Sequence, residues 1–234
     1  MFLLLCGWLA GTVSGAAGFG GAPLLLPVLT LKVGAKAAVP ILTVAQLLGN
    51  LSRASFGWRE IRWRPVLAFS AGAVPASVIG SRLFVDLPSG PILRLIVVLL
   101  IVVALRHTRL GERKTPEWCL GPAGVAIGLV SALAGSAGPL GAAVFLGLHL
   151  PPGAYVASEA VTAVLMHLAK SITYGRYAAL SGGDLLRGLA LGGSLVFGSW
   201  TGKKMIDRIQ DRWFAVLVEI LLVVSAASLI LSSK

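Results

Sequence analysis

The stretch Gly11-Thr12-Val13-Ser14-Gly15-Ala16-Ala17-Gly18-Phe19-Gly20-Gly21 interrupts a long apolar segment near the start of the chain. An echo, Gly128-Leu129-Val130-Ser131-Ala132-Leu133-Ala134-Gly135-Ser136-Ala137-Gly138, interrupts another in the second half. The likeness continues downstream, where Val44, Leu48, Leu51 and Arg53 keep the spacing of Val161, Leu165, Leu168 and Lys170. After a small insertion, Gly80, Leu83 and the apolar run from Leu95 to Leu100 match Gly202, Met205 and the run from Leu217 to Leu222. A hydrophobic chain written twice, with a glycine break in each copy, points to a transporter whose site lies where the broken helices meet.

Composition places that plan in a bilayer. The 234 residues are 56% hydrophobic and 12% charged, with a mean hydropathy of +0.89. A soluble domain cannot hide so much apolar surface, and several runs reach the roughly 20 apolar residues that cross a bilayer core. The net charge of +11 would point to nucleic acid in a soluble protein. Here the cations lie between apolar runs: Arg59, Arg62 and Arg64; Arg106, Arg109, Arg113 and Lys114; Lys203, Lys204, Arg208 and Arg212. Such loops answer to the positive-inside rule and to anionic headgroups, so membrane lipids are the expected partner and nucleic acid is not. Cys6 and Cys119 lie in apolar surroundings, with no disulfide or metal spacing. Met1 runs directly into Phe2-Leu3-Leu4-Leu5, which does not read as a cleaved signal peptide.

The expected fold is an all-α polytopic membrane protein, a single domain over residues 1–234. It comprises repeat 1 (1–108), a cytoplasmic linker (109–118) and repeat 2 (119–234), located multi-pass in the cell inner membrane. Segments are expected at Met1 to Leu31, Lys36 to Phe56, Pro65 to Val85, Pro91 to His107, Trp118 to Leu150, Gly153 to Tyr174, Asp184 to Ile206 and Arg212 to Leu231. The first segment of each repeat is too long for one crossing and too short for two. It forms either a re-entrant hairpin, which makes the repeats inverted with three full crossings each, or one discontinuous crossing, which makes them parallel. The hairpin is preferred because inverted repeats with broken helices recur among transporters. Counting Lys and Arg by side gives the same total for both arrangements.

Amides left free at a helix break cannot face lipid, and at a half-helix N-terminus they favour an anion. Close helix packing is the other use of such glycines, and it is the reading preferred for Gly72, Ala76 and Gly80 and for Ser194, Gly198 and Gly202. Within the segment from Gly153 to Tyr174 stand Ser158, Glu159, Thr162, His167 and Lys170. An ionisable group inside a span is costly unless it faces a cavity or partner, which makes Glu159 and His167 the candidates for proton coupling. The corresponding segment carries Gln46, Asn50 and Arg53, donors to an anion. Arg53 and Lys170 also stand near helix ends, where long cations snorkel to headgroups. Arg94 and Glu219 read as interfacial. Ser136 with His167 is superficially like an intramembrane serine protease dyad, but residue 134 is Ala where such proteases carry glycine.

The run from Ser14 to Pro27, the stretch Gly57-Trp58-Arg59-Glu60-Ile61-Arg62-Trp63, and Gly72-Ala73 through Gly80-Ser81-Arg82-Leu83 together resemble the sulfite exporter TauE/SafE family. The resemblance implies a membrane permease for small sulfur-containing anions such as sulfite, organosulfonates or related organic acids, coupled to an ion gradient; no cofactor or metal is expected. Pro40 and Ile41 depart from the polar pair such proteins often carry, whereas Ser158 keeps the serine in the second repeat. The expected substrate site is Ser14, Gly18, Phe19, Gly20, Gly21, Gln46, Asn50, Ser131, Gly135, Ser136, Gly138 and Ser158. An anion channel, a membrane-embedded enzyme using Ser136 and His167, and a non-transporting scaffold are the alternatives.

Overall fold

The computed structural model describes residues 2–18, 21–92, 94, 98 and 114–205. The segments expected at Pro91 to His107 and Arg212 to Leu231 fall wholly or mostly outside these residues, as do Phe19, Gly20, Glu219 and much of the basic linker. The described residues are all-helical. They form α1 (Phe2–Ala17), α2 (Gly21–Val33), α3 (Ala35–Phe56) and α4 (Trp63–Asp86), then α5 (Leu120–Ala134), α6 (Gly138–Leu146), α7 (Pro152–Arg176) and α8 (Gly182–Met205).

Both glycine stretches break the helix, and in the same way. Gly18 follows α1 with φ 76°, and Gly135 follows α5 with φ 79°. In this left-handed region a side chain is penalised, so glycine closes the helix by sending its N–H back to an end carbonyl. The Gly18 N–H reaches the Ser14 carbonyl at 3.0 Å. The chain then restarts as α2 at Gly21 and as α6 at Gly138, the latter with Pro139 in the first turn, where its missing N–H costs nothing.

After each break the chain doubles back. The Lys32 ammonium at the end of α2 lies 5.2 Å from the Phe2 ring centre at the start of α1. Beside α5 and α6, the Thr115 N–H meets the Gly147 carbonyl at 2.8 Å. The longer helices surround these pairs in fixed directions. Gly7, Gly11 and Gly15 of α1 meet Leu191, Leu195 and Ser199 of α8 in rising order, so the two run parallel. Phe69 and Ala73 of α4 meet Gly124 and Gly128 of α5 in the same manner. Gly57, at the end of α3, packs on Ala157 near the start of α7, and Arg53 reaches Glu159, so α3 and α7 run antiparallel.

The small residues at these crossings are set by contact distance. A Cβ on Gly11 would come within 2.5 Å of the Leu195 carbonyl, and one on Gly128 within 2.4 Å of the Ala73 carbonyl. Gly72 and Gly198 are filled equally by backbone, so those small-residue faces are packing surfaces. Gly80 packs against Ala132, and Ser194 against Gly7.

The helices carry apolar residues outward and polar ones inward. Leu5, Leu67, Ile79, Leu186 and Phe197 are exposed, while Thr43, Gln46, Asn50, Arg53, Ser158, Glu159, Thr162 and Lys170 are buried. That distribution suits a hydrocarbon solvent, in which the polar groups need each other. At 22 and 25 residues, α3 and α7 are long enough for a bilayer core at 1.5 Å per residue. Among the described residues, α4 and the stretch Glu117–Ala134 are both long and apolar enough to cross. The lower hydropathy of α3 and α7 comes from the polar residues they turn inward.

Candidate functional site

The two breaks, α3 and α7 converge on one cavity. Ser14, Gly21, Ala22 and Pro23 line it from the first hairpin, and Ser131, Ser136, Ala137, Gly138 and Gly141 from the second. From α3 come Gln46, Asn50 and Arg53, and from α7 Glu159, Thr162, Ala163, Met166 and His167. The free space is about 30 Å³, room for about one or two waters. Many lining residues stand 117 positions apart: Ser14 and Ser131, Gly21 and Gly138, Gln46 and Ala163, Asn50 and His167.

Arg53 organises one side. It is 5% exposed, although it lies within a turn of the end of α3, because it turns back into the protein. Its guanidinium donates to the Gly18 carbonyl and to Asn50 Oδ1, and Nη2 stands 3.3 Å from Glu159 Oε2. Asn50 in turn donates from Nδ2 to the Gln46 carbonyl at 2.7 Å. Carbonyls at the C-terminal end of a half-helix lack partners and carry partial negative charge, which a cation satisfies.

Lys170 does the same for the other half-helix. It is fully buried, and its ammonium donates to the Ser131 carbonyl at 3.2 Å and to Ser131 Oγ at 2.9 Å. The Tyr174 hydroxyl donates to the next carbonyl, Ala132, at 2.7 Å. Neither cation snorkels to a headgroup. Each closes the negative end of a broken helix, leaving the positive ends, the N-termini of α2 and α6 at Gly21 and Gly138, at the cavity wall.

Several lining groups have hydrogen-bonding capacity left over. Gln46 Nε2, Arg53 Nε and His167 Nδ1 are buried and unbonded. Buried polar atoms are normally paired, so three at one cavity mark a place for a polar guest. The formally charged side chains at and beside it are Arg53 and Lys170 against Glu159.

The sequence-predicted residues fall into three groups. Ser14, Gly21, Gln46, Asn50, Ser131, Ser136, Gly138, Glu159 and His167 line the cavity. Gly18, Gly135 and Ser158 do not: the glycines pack against Tyr155 and Val39, and Ser158 Oγ accepts the Arg62 N–H at 2.9 Å. Phe19 and Gly20 lie outside the described residues. Sequence reasoning names Arg53 as a donor to an anion but keeps it, with Lys170, out of the expected site, although their matching spacing was a signal that both copies need a cation there. Ser136 and His167 share the cavity but make no hydrogen bond to each other among the described residues.

The family model described as sulfite exporter TauE/SafE matches residues 3–229. No curated protein and no solved structure matches the chain.

Proposed function

We propose that the chain, which belongs to the sulfite exporter TauE/SafE family of membrane transporters, exports sulfite or a related organosulfonate as a gradient-coupled secondary transporter. The observation that carries this reading is the charge pattern around the cavity. Both half-helix C-termini are neutralised by buried cations, while both N-termini and three unbonded polar atoms remain for a guest. Positive helix ends in a water-poor site favour an oxyanion over a cation or a neutral solute.

The substrate site of this proposal comprises Ser14, Gly21, Gln46, Asn50, Ser131, Ser136 and Gly138, with Glu159 and His167 coupling transport to protons. The two hairpins are re-entrant, and the two halves are inverted about an axis through the α3–α7 contact, in the inner membrane. The opposed directions of α3 and α7 and the doubling back of each broken pair support that arrangement.

Gly138→Leu tests the site. A Cβ there meets nothing within 4 Å, so the backbone accepts a side chain at this cavity-lining position, and the rest of the leucine competes with a guest for the small free space. Sulfite flux in proteoliposomes should fall at least tenfold while the protein stays folded, and normal flux would remove the site. Glu159→Gln tests coupling in the same vesicles: the folded variant should lose concentration of sulfite against its gradient under an imposed pH difference while still exchanging sulfite. A wild-type protein indifferent to the pH difference would remove proton coupling, and non-saturating flux would favour a channel.

A further inference from the structure

Building on the transport proposal, we infer that Lys170 supplies the positive charge that balances the bound anion, and that it acts through the Ser131 hydroxyl. Arg53 and Lys170 stand 117 residues apart, at corresponding places on α3 and α7. Their surroundings differ. Arg53 meets the Glu159 carboxylate at 3.3 Å, so its charge is balanced within the protein. The position on α3 that corresponds to Glu159 is Leu42, and Lys170 meets no carboxylate among the described residues. A buried ammonium without a counter-charge is costly in a medium of low dielectric. An anion in the cavity supplies what Leu42 does not.

The path from ammonium to cavity is one hydroxyl long. Lys170 Nζ donates to Ser131 Oγ at 2.9 Å, and Ser131 lines the cavity. With a lone pair committed to the ammonium, the hydroxyl has its hydrogen free for another acceptor, and the adjacent charge makes it a stronger donor. The corresponding hydroxyl, Ser14, lacks this support, because Arg53 donates to the Gly18 carbonyl instead. The halves therefore contribute unequally: Ser131 touches the anion, and Lys170 is the residue that orients and charges it. A cation that did no more than close the end of α5 would affect stability alone.

Wild type, Ser131→Ala, Lys170→Met and Lys170→Arg are compared by thermal unfolding with sodium sulfite, against sodium chloride at equal ionic strength, and by sulfite uptake in proteoliposomes. Sulfite should stabilise the wild type. In Ser131→Ala, KM should rise about tenfold with a smaller change in kcat, the loss expected for a hydrogen bond to a charged group. Folded Lys170→Met should lose the sulfite stabilisation, and Lys170→Arg should recover part of it. A folded Lys170→Met with wild-type KM overturns the inference and leaves the transport proposal standing. Should Lys170→Met not fold, Ser131→Ala decides, and an unchanged KM there overturns it equally. No response of the wild type to sulfite in either measurement brings down the transport proposal and this inference with it.

Discussion

Arg53 joins the two halves of the chain. Through one guanidinium it holds the end of α1 and the Glu159 carboxylate of α7, with Asn50 beside it. Breaking a buried pair costs about 3–5 kcal/mol, because the surviving charge is left uncompensated, whereas removing both partners costs less. Arg53→Met and Glu159→Gln should therefore each destabilise the protein by more than their combination does. Unfolding of the four proteins in detergent checks this, and additive single effects would mean that the pair is not coupled. At this scale the sequence was least informative. It shows that Arg53 and Lys170 lie near helix ends, but a long flexible cation reaches headgroups or interior equally well from there. Ser158 illustrates the same limit: its neighbour Glu159 faces the cavity, while its own hydroxyl serves the Arg62 amide.

Among the elements, glycine has two separate uses that sequence alone merges. Gly18 and Gly135 end half-helices by their backbone conformation, whereas Gly11 and Gly128 let helices touch. Gly11→Leu and Gly128→Leu should separate α1 from α8 and α4 from α5, because the contacting atoms are backbone and cannot turn aside. Loss of folded protein on size-exclusion chromatography is the expected result. Gly193 of α8 meets nothing within 4 Å, so Gly193→Ala should be stabilising by about 0.5–1 kcal/mol, from helix propensity alone. A destabilised Gly193→Ala, or folded Gly11→Leu and Gly128→Leu proteins, would refute this division. α8 also has a local start signal, the Ser181 hydroxyl accepting the Asp184 N–H at 3.1 Å.

For the whole molecule, the helix directions group its ends. Lys36 at the start of α3 donates to the Phe84 and Val85 carbonyls near the end of α4, and Arg82 stacks on Tyr177. At the opposite end, Lys203 stacks on Phe56, and Arg64 pairs with Glu117. In a background lacking Cys6 and Cys119, cysteines at Arg59 and Lys203 should therefore label from one face of the membrane, and cysteines at Lys32 and Tyr177 from the other. The positive-inside rule makes the Arg59 face cytoplasmic. An impermeant thiol reagent on intact cells should react at Lys32→Cys and Tyr177→Cys only. Labelling of Lys203→Cys and Lys32→Cys from the same side would rule out the inverted arrangement.

The sequence by itself determined the helical class and the two breaks, because apolar run length and glycine clustering are properties of the chain in one dimension. From these, and from the polar residues standing inside apolar spans, Ser14, Gly21, Gln46, Asn50, Ser131, Gly138, Glu159 and His167 were already candidates, and they line one cavity. Only the tertiary structure decided where the chain goes after each glycine, since a residue free at positive φ permits either a continued crossing or a return. It also decided which way the buried cations turn and which of them finds a carboxylate. Those choices depend on the rotation of α3 and α7 about their axes and on the groups each then faces, and a linear pattern carries neither.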